Sequence, residues 1–220
     1  MSGIAVGGFL HETNTFAPTK ATYADFVHGG GWPSMSVVRN KATRAATGTI
    51  CDPDAAAAAH GAGVGATIKI ALGVKSGIKG DAPYEETFVV ESLSDGKFVA
   101  SGPYFGGRDM DMGLSTCLRI DDVRVVVSSH RAQLADKSMF RHVGIEPTEQ
   151  AILVNKSSVH FRADFEPIAE RLLICAAPGA MPADTAALPW TRLRPGIRLR
   201  PNGPAFVAPD KTSSHSPAIG

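Results

Sequence analysis

Two groups of residues in this chain carry side chains that chemistry needs. The first is His11-Glu12-Thr13-Asn14-Thr15, a polar turn directly after the apolar run Ile4 to Leu10. An imidazole beside a carboxylate offers two metal-ligand types, and the point where a strand hands over to a loop is where rigid scaffolds display working groups. The pair does not complete the zinc pattern H-E-x-x-H, because the position one helical turn on is Thr15. A plain polar turn at a strand end explains the same residues. The second group is Asn155-Lys156-Ser157-Ser158-Val159-His160-Phe161-Arg162, lying between a predicted strand and a predicted helix. Ser157 or Ser158 would cap that helix, its first N–H groups would face a carboxylate or oxyanion, and Lys156 and Arg162 would add positive charge. Simple capping with solvated charges is the alternative.

Other chemistry-bearing residues read as structural. His60 closes an alanine-rich helix, where a partly protonated ring meets the negative end of the dipole. His130 and His142 end a strand and a helix without a ligand-like neighbour in sequence. Asp109 and Asp111 have the spacing of two ligands for an oxygen-seeking cation, yet their glycine-rich flanks suit an ordinary loop equally well. Gly61-Ala62-Gly63-Val64-Gly65 follows a helix and precedes a strand, the reverse of a phosphate-binding loop. No complete set of zinc ligands is visible.

The elements that must position these groups follow from pattern and punctuation. Ile4 to Leu10 reads as a buried strand and Thr22 to His28 as a short helix. Ser34 to Thr47 is basic and without period, with Arg39, Lys41 and Arg44 close together, and reads as a linker. Asp52-Pro53 is a strong helix start, an aspartate cap followed by proline in the first turn, and predicts a helix over Asp54 to Ala62. Strands are predicted at Ala66 to Leu72, Glu85 to Leu93, Leu114 to Ile120, Val123 to Ser129 and Ile152 to Asn155, the third and fourth joined as a hairpin through Asp121-Asp122. A helix over Lys137 to His142 should be capped by Asp136 and stopped by Gly144. Phe165, Ile168, Ala169 and Leu172 fall on one face of a predicted amphipathic helix, Arg162 to Leu172. The fold class is therefore α+β, a β-rich C-terminal domain with a few helices plus a short N-terminal strand-helix fragment.

Composition narrows the function classes. The 220 residues carry 22 basic and 21 acidic side chains, a net charge of +1, with 7% aromatics. That balance gives no basic stripe interleaved with aromatics, so no nucleic-acid partner is expected. No run of 18 apolar residues exists and the N-terminus lacks a basic leader, so neither a membrane span nor a signal peptide is expected. Cys51, Cys117 and Cys175 form no close pair in sequence, which fits a reducing, cytoplasmic setting.

The stretch from Ile4 to Pro18, Ile-Ala-Val-Gly-Gly-Phe-Leu-His-Glu-Thr-Asn-Thr-Phe-Ala-Pro, resembles the opening of the microcystinase C (MlrC) family of zinc metallopeptidases. Asp52-Pro53 with its alanine helix, Gly63-Val64-Gly65-Ala66, Leu93-Ser94-Asp95-Gly96, Met112-Gly113 and Lys156-Ser157-Ser158-Val159-His160-Phe161-Arg162 resemble that family's C-terminal domain. The two matches are not neighbours in a full-length member, and the join falls in the basic segment. The resemblance thus implies residues 1–37 as a fragment of the N-terminal domain, 38–47 as the join, 48–200 as the C-terminal domain and 201–220 as a disordered tail. It implies a zinc-dependent hydrolase of linear or cyclic peptides, such as microcystin, with the metal polarising the peptide carbonyl.

By the same resemblance, Glu12 matches a family glutamate at or near the metal, His11 adds a ligand and Asn14 lines the turn beside substrate. Lys156, His160 and Arg162 match catalytic-cleft positions, with Ser157 contacting substrate. His11 and Glu12 supply two ligands at most, so activity is expected to be weak or absent unless a homo-oligomer or a complementing chain supplies the rest. The alternative is a non-enzymatic remnant that binds small anions or a partner chain through the Lys156–Arg162 cluster. The first strand, separated from its family neighbours by the join, is expected to be loosely attached.

Overall fold

The computed structural model describes residues 3–7, 42–73, 83–157, 159–173, 186, 188 and 190–207, with the backbone alone for 3–7. The predicted helix Thr22 to His28 and most of the tail, from 208 on, lie outside the described residues. The elements of the larger unit run β1 (Gly3–Gly7), β2 (Ala45–Cys51), α1 (Pro53–Ala62), β3 (Thr67–Leu72), β4 (Tyr84–Ser94), β5 (Lys97–Val99), β6 (Asp109–Asp111), β7 (Ser115–Ile120) and β8 (Val123–Ser128). They continue with α2 (Ser138–Arg141), β9 (Ile152–Asn155), α3 (Arg162–Phe165) and β10 (Ala169–Leu173). Eight strands form one mixed sheet in the order β10-β1-β9-β2-β8-β7-β4-β3, and β5 and β6 form a separate antiparallel ribbon. From β10 to β8 neighbouring strands are parallel, and from β8 to β3 they are antiparallel. This is the β-rich α+β fold the sequence predicts.

Parallel strands in the middle of a sheet are covered on both faces, and their sequences are correspondingly apolar throughout. In β8, Val125 and Val127 enter one core cluster while Val126 enters the other. In β9, Ile152 and Val154 face one way and Leu153 the other, the period-2 alternation of a strand. Ala55, Ala56 and Ala59 of α1 cover the first face. Met139, Phe140, Phe161 and Phe165, from α2, α3 and their approaches, fill the second.

Helix α1 forms as its first residues dictate. The buried Asp52 accepts a hydrogen bond from the Ala55 amide (3.2 Å) at one carboxylate oxygen and from the Gly73 amide (3.1 Å) at the other. Its side chain therefore caps the helix and ties down the end of β3. Gly63 stops the helix in the left-handed region at φ 87°. The β7–β8 hairpin pairs as predicted, Ser115 opposite Ser128 through Ile120 opposite Val123, with Asp121 in the turn at φ 49°.

Three expectations are corrected. The segment read as a linker through Thr47 already contains the first half of β2, whose residues 45–50 are all buried between β8 and β9. Its alanines and glycine have little intrinsic strand preference, and only packing makes them a strand. The predicted helix Arg162 to Leu172 is a single turn, α3, followed by a 3₁₀ turn (Glu166–Ile168) and then β10. Pro167 has no N–H to continue the helical ladder. Finally, β1 is not loosely attached: it lies between β9 and β10, parallel to both, with Ile4 to Gly7 opposite Ile152 to Asn155. Its hydrogen-bond partners lie near the other end of the chain, where sequence pattern gives no register.

The second compact unit spans Met181–Gly220. Its described part bends through Asn202 (φ 57°), pairs Arg198 with Ala205 in an antiparallel bridge, and receives the Phe206 amide on the Ile197 carbonyl at 2.8 Å.

Candidate functional site

The parallel strands β1, β9, β2 and β8 all end at one edge of the sheet, and in open sheets that carboxyl edge is where ligands bind. Gly7 ends β1 opposite Asn155, which ends β9, and Asn155 lies opposite Gly48 in β2. The chain then turns through Lys156 and Ser157. The Lys156 amide donates to the Gly48 carbonyl (3.0 Å) and its own carbonyl accepts from Leu134 (3.0 Å), so both backbone groups of Lys156 are fixed at that edge.

The turn is anchored from below by aromatic side chains. Phe161 and Phe165 are fully buried, and Phe165 meets Phe140 edge-on with ring centroids 6.0 Å apart. Between them Asp164, also buried, accepts from the Lys137 amide at 2.7 Å and pairs with the Lys137 ammonium at 3.0 Å. The neighbouring Asp136, fully buried, accepts from the Gly102 amide (2.6 Å) and the Ser138 amide (2.8 Å). Lys137, not Asp136, occupies the N-cap of α2, which has no side-chain cap; Asp136 instead binds the Ser138 amide from one residue further back and holds the loop after β5. Gly102 sits so close that a Cβ there would lie 2.6 Å from Asp164 Oδ2 and 2.7 Å from Asp136 Oδ2.

That loop delivers Tyr104 to the site. The Tyr104 ring stacks on the His160 imidazole at 4.0 Å between centroids and 23° between planes. His160 is exposed, and its Nδ1 lies 2.7 Å from Gln133 Nε2, which also donates to Ser157 Oγ at 2.8 Å. Arg162 is half-buried, lies 5.8 Å from the Phe161 ring centroid and pairs with Glu166 at 3.5 Å. Lys156, Ser157, His160 and Arg162 are therefore gathered on one turn at the carboxyl edge.

Ser157 does not cap α3. That helix starts at Arg162 after Phe161 and has no side-chain cap, because Val159 to Phe161 form an intervening turn in which the Arg162 amide donates to the Val159 carbonyl at 3.1 Å. A one-turn helix offers no anion cradle, so whatever anion recognition this turn has must come from its cations. Ser158, His11, Glu12 and Asn14 lie outside the described residues. Among the described residues, no three of His, Cys, Asp and Glu converge as metal ligands. Asp111 instead accepts from the Gly113 amide (2.8 Å) and lies 3.6 Å from His130 Nδ1, an exposed pair between the β5–β6 ribbon and the turn after β8. His60, besides closing α1, reaches the Ser115 carbonyl with Nε2 at 3.0 Å.

Gln133, Tyr104 and Asp164 have no motif of their own. The nearest signal for Tyr104 is the glycine pair Gly106-Gly107 marking a loop, and nothing in sequence places that loop over His160.

Comparison with known proteins bears on this geometry. The family model described as MlrC C-terminus matches residues 35–192, which is most of the chain and includes the whole turn from Lys156 to Arg162. The chain belongs to the MlrC family. A crystal structure named "Putative metallopeptidase from Mesorhizobium sp. BNC1" is similar in fold, with a TM-score of 0.63 and 27% identity. The match covers 76% of this chain but 34% of that protein, so the MlrC-family chain described here spans about a third of its structural relative. No curated protein matches it. Among its described residues, no helix is long and apolar enough to cross a membrane.

Proposed function

We propose that this chain forms the C-terminal wall of a peptide-hydrolase cleft, with His160, Lys156 and Arg162 meeting the substrate and Ser157 positioned behind them. The observation that carries the reading is the placement of the family's Lys156–Arg162 segment at the carboxyl edge, with an exposed imidazole clamped between Gln133 and Tyr104. A ring held on two sides is preorganised to stabilise charge developing on a peptide carbonyl, and the cations beside it suit a substrate carboxylate. Linear or cyclic peptides, microcystin among them, are the substrate class we assign.

Zinc belongs to the same proposal only through His11 and Glu12. Among the described residues, no set of side chains fits a metal centre. A complete site would need a homo-oligomer or a complementing chain to add ligands and the remaining cleft wall. A cytoplasmic setting is part of the reading, and the free thiols of Cys51 and Cys117 accord with it.

The purified chain alone is expected to hold zinc well below one equivalent and to hydrolyse peptides weakly or not at all. Metal analysis and a peptide-release assay, with and without chelator, check both. Stoichiometric zinc with chelator-sensitive turnover would show that these 220 residues build the entire centre. If a complementing chain restores turnover, His160→Ala should lower kcat/KM by at least about tenfold. An unchanged value would remove His160 from the site.

A further inference from the structure

We infer that Gln133 is a positioning residue that decides which nitrogen of His160 carries the proton. The Gln133 amide group has two hydrogens, and two acceptors lie within reach of its nitrogen: Ser157 Oγ at 2.8 Å and His160 Nδ1 at 2.7 Å. A neutral imidazole that accepts at Nδ1 must keep its proton on Nε2. Ser157 is buried, with its amide on the Asn155 carbonyl at 3.0 Å, so it is a fixed post against which Gln133 is aimed. The Tyr104 ring, stacked over the imidazole in a nearly parallel plane, blocks rotation of His160 out of that hydrogen bond.

The consequence for chemistry is specific. With Nδ1 engaged, the free edge of neutral His160 is an N–H donor, suited to a carbonyl oxygen or oxyanion and unable to take a proton from water at Nε2. This use rests on the hydrolase reading, whereas the tautomer itself does not.

The test is the long-range proton–nitrogen NMR spectrum of the full chain, uniformly nitrogen-15 labelled, above the titration range of histidine. The spin system of His160 is identified among the seven histidines by its loss in His160→Asn. The expected spectrum shows an unprotonated Nδ1 and a protonated Nε2. In Gln133→Glu the carboxylate can only accept, so the proton should move to Nδ1. In Gln133→Leu the two nitrogen signals should converge as the tautomers mix. A wild-type ring protonated at Nδ1, or a spectrum unchanged in both folded variants, would overturn the inference. Hydrolysis is not the readout, so an unchanged kcat/KM for His160→Ala in the complemented protein would count against the cleft reading and leave the tautomer standing.

Discussion

Gly102 is the residue on which the described site turns. Its missing side chain lets two buried carboxylates, Asp136 and Asp164, approach one backbone segment, and that segment carries Tyr104 to His160. Gly102→Ala should push those carboxylates aside and cost about 1–3 kcal/mol of stability, measured by urea unfolding. His142 and Glu146 set opposite limits on pH. His142 is mostly buried against Phe98 (4.8 Å between centroids), and neither ring nitrogen has a hydrogen-bond partner. Burial pushes its pKa below the ordinary 6.5, although the nearby Ser138 and Met139 carbonyls pull weakly the other way. Both states are neutral above about 6.5, and below it the unfolded chain takes the proton first, so stability falls as pH drops from that value. Glu146 is held down to about 2, chiefly by Arg141 and then by Thr148. Its contribution is intact above 4.5 and is lost between there and about 2. Urea unfolding at pH 7.5, 5.5 and 3 should therefore show two separate declines, and His142→Phe should remove only the upper one. The candidate residues Lys156, Ser157, His160 and Arg162 were legible in the sequence as a polar cluster. Gln133 and Tyr104 were not, because their roles come from contacts across 27 and 56 positions of chain.

At the level of elements, sequence was a good guide where a local rule decides and a poor one where packing does. Helix α1 follows from Asp52 and Pro53, and β8 from a run of valines. Asp52→Ala should lower stability by about 2 kcal/mol, since it strips both the Ala55 cap and the Gly73 amide of a buried partner. A thermal unfolding curve checks this, and an unchanged midpoint would show the cap to be idle. Strand β2 has no such rule: Ala45, Ala46 and Gly48 are extended because β8 and β9 flank them, and a Cβ on Gly48 would lie 2.8 Å from that of Val126. The region after Arg162 is more instructive. Phe165, Ile168, Ala169 and Leu172 all pack on the second core cluster, so the helical period picked the right residues for burial. Pro167 ended the helix after one turn, and β10 buries Ala169 and Leu172 by another geometry.

For the whole molecule the decisive feature is the eight-stranded sheet with β1 inside it. Removing residues 3–7 would leave facing edges of β9 and β10 without partners, and such edges pair with other chains. The expected outcome is loss of amide protection in Leu153 and Val154 on hydrogen exchange, together with concentration-dependent association on size exclusion. A deletion variant that stays monomeric and protected would mean that β1 contributes little to the sheet. Family membership was legible from motifs far apart in the chain, and the structure adds that β1 pairs with β9, the strand that leads into the second of them.

The order of synthesis gives that meeting a further meaning. Within the sheet, Ile4 is made before every other strand, yet the backbone it joins, at Ile152 and Arg171, belongs to the last two. The nascent β1 must therefore wait, unpaired, while nearly all of the sheet is translated, and closure over so long a loop makes its docking a late and slow event. Throughout that interval the leading segment is available to chaperones or to a neighbouring nascent copy of itself.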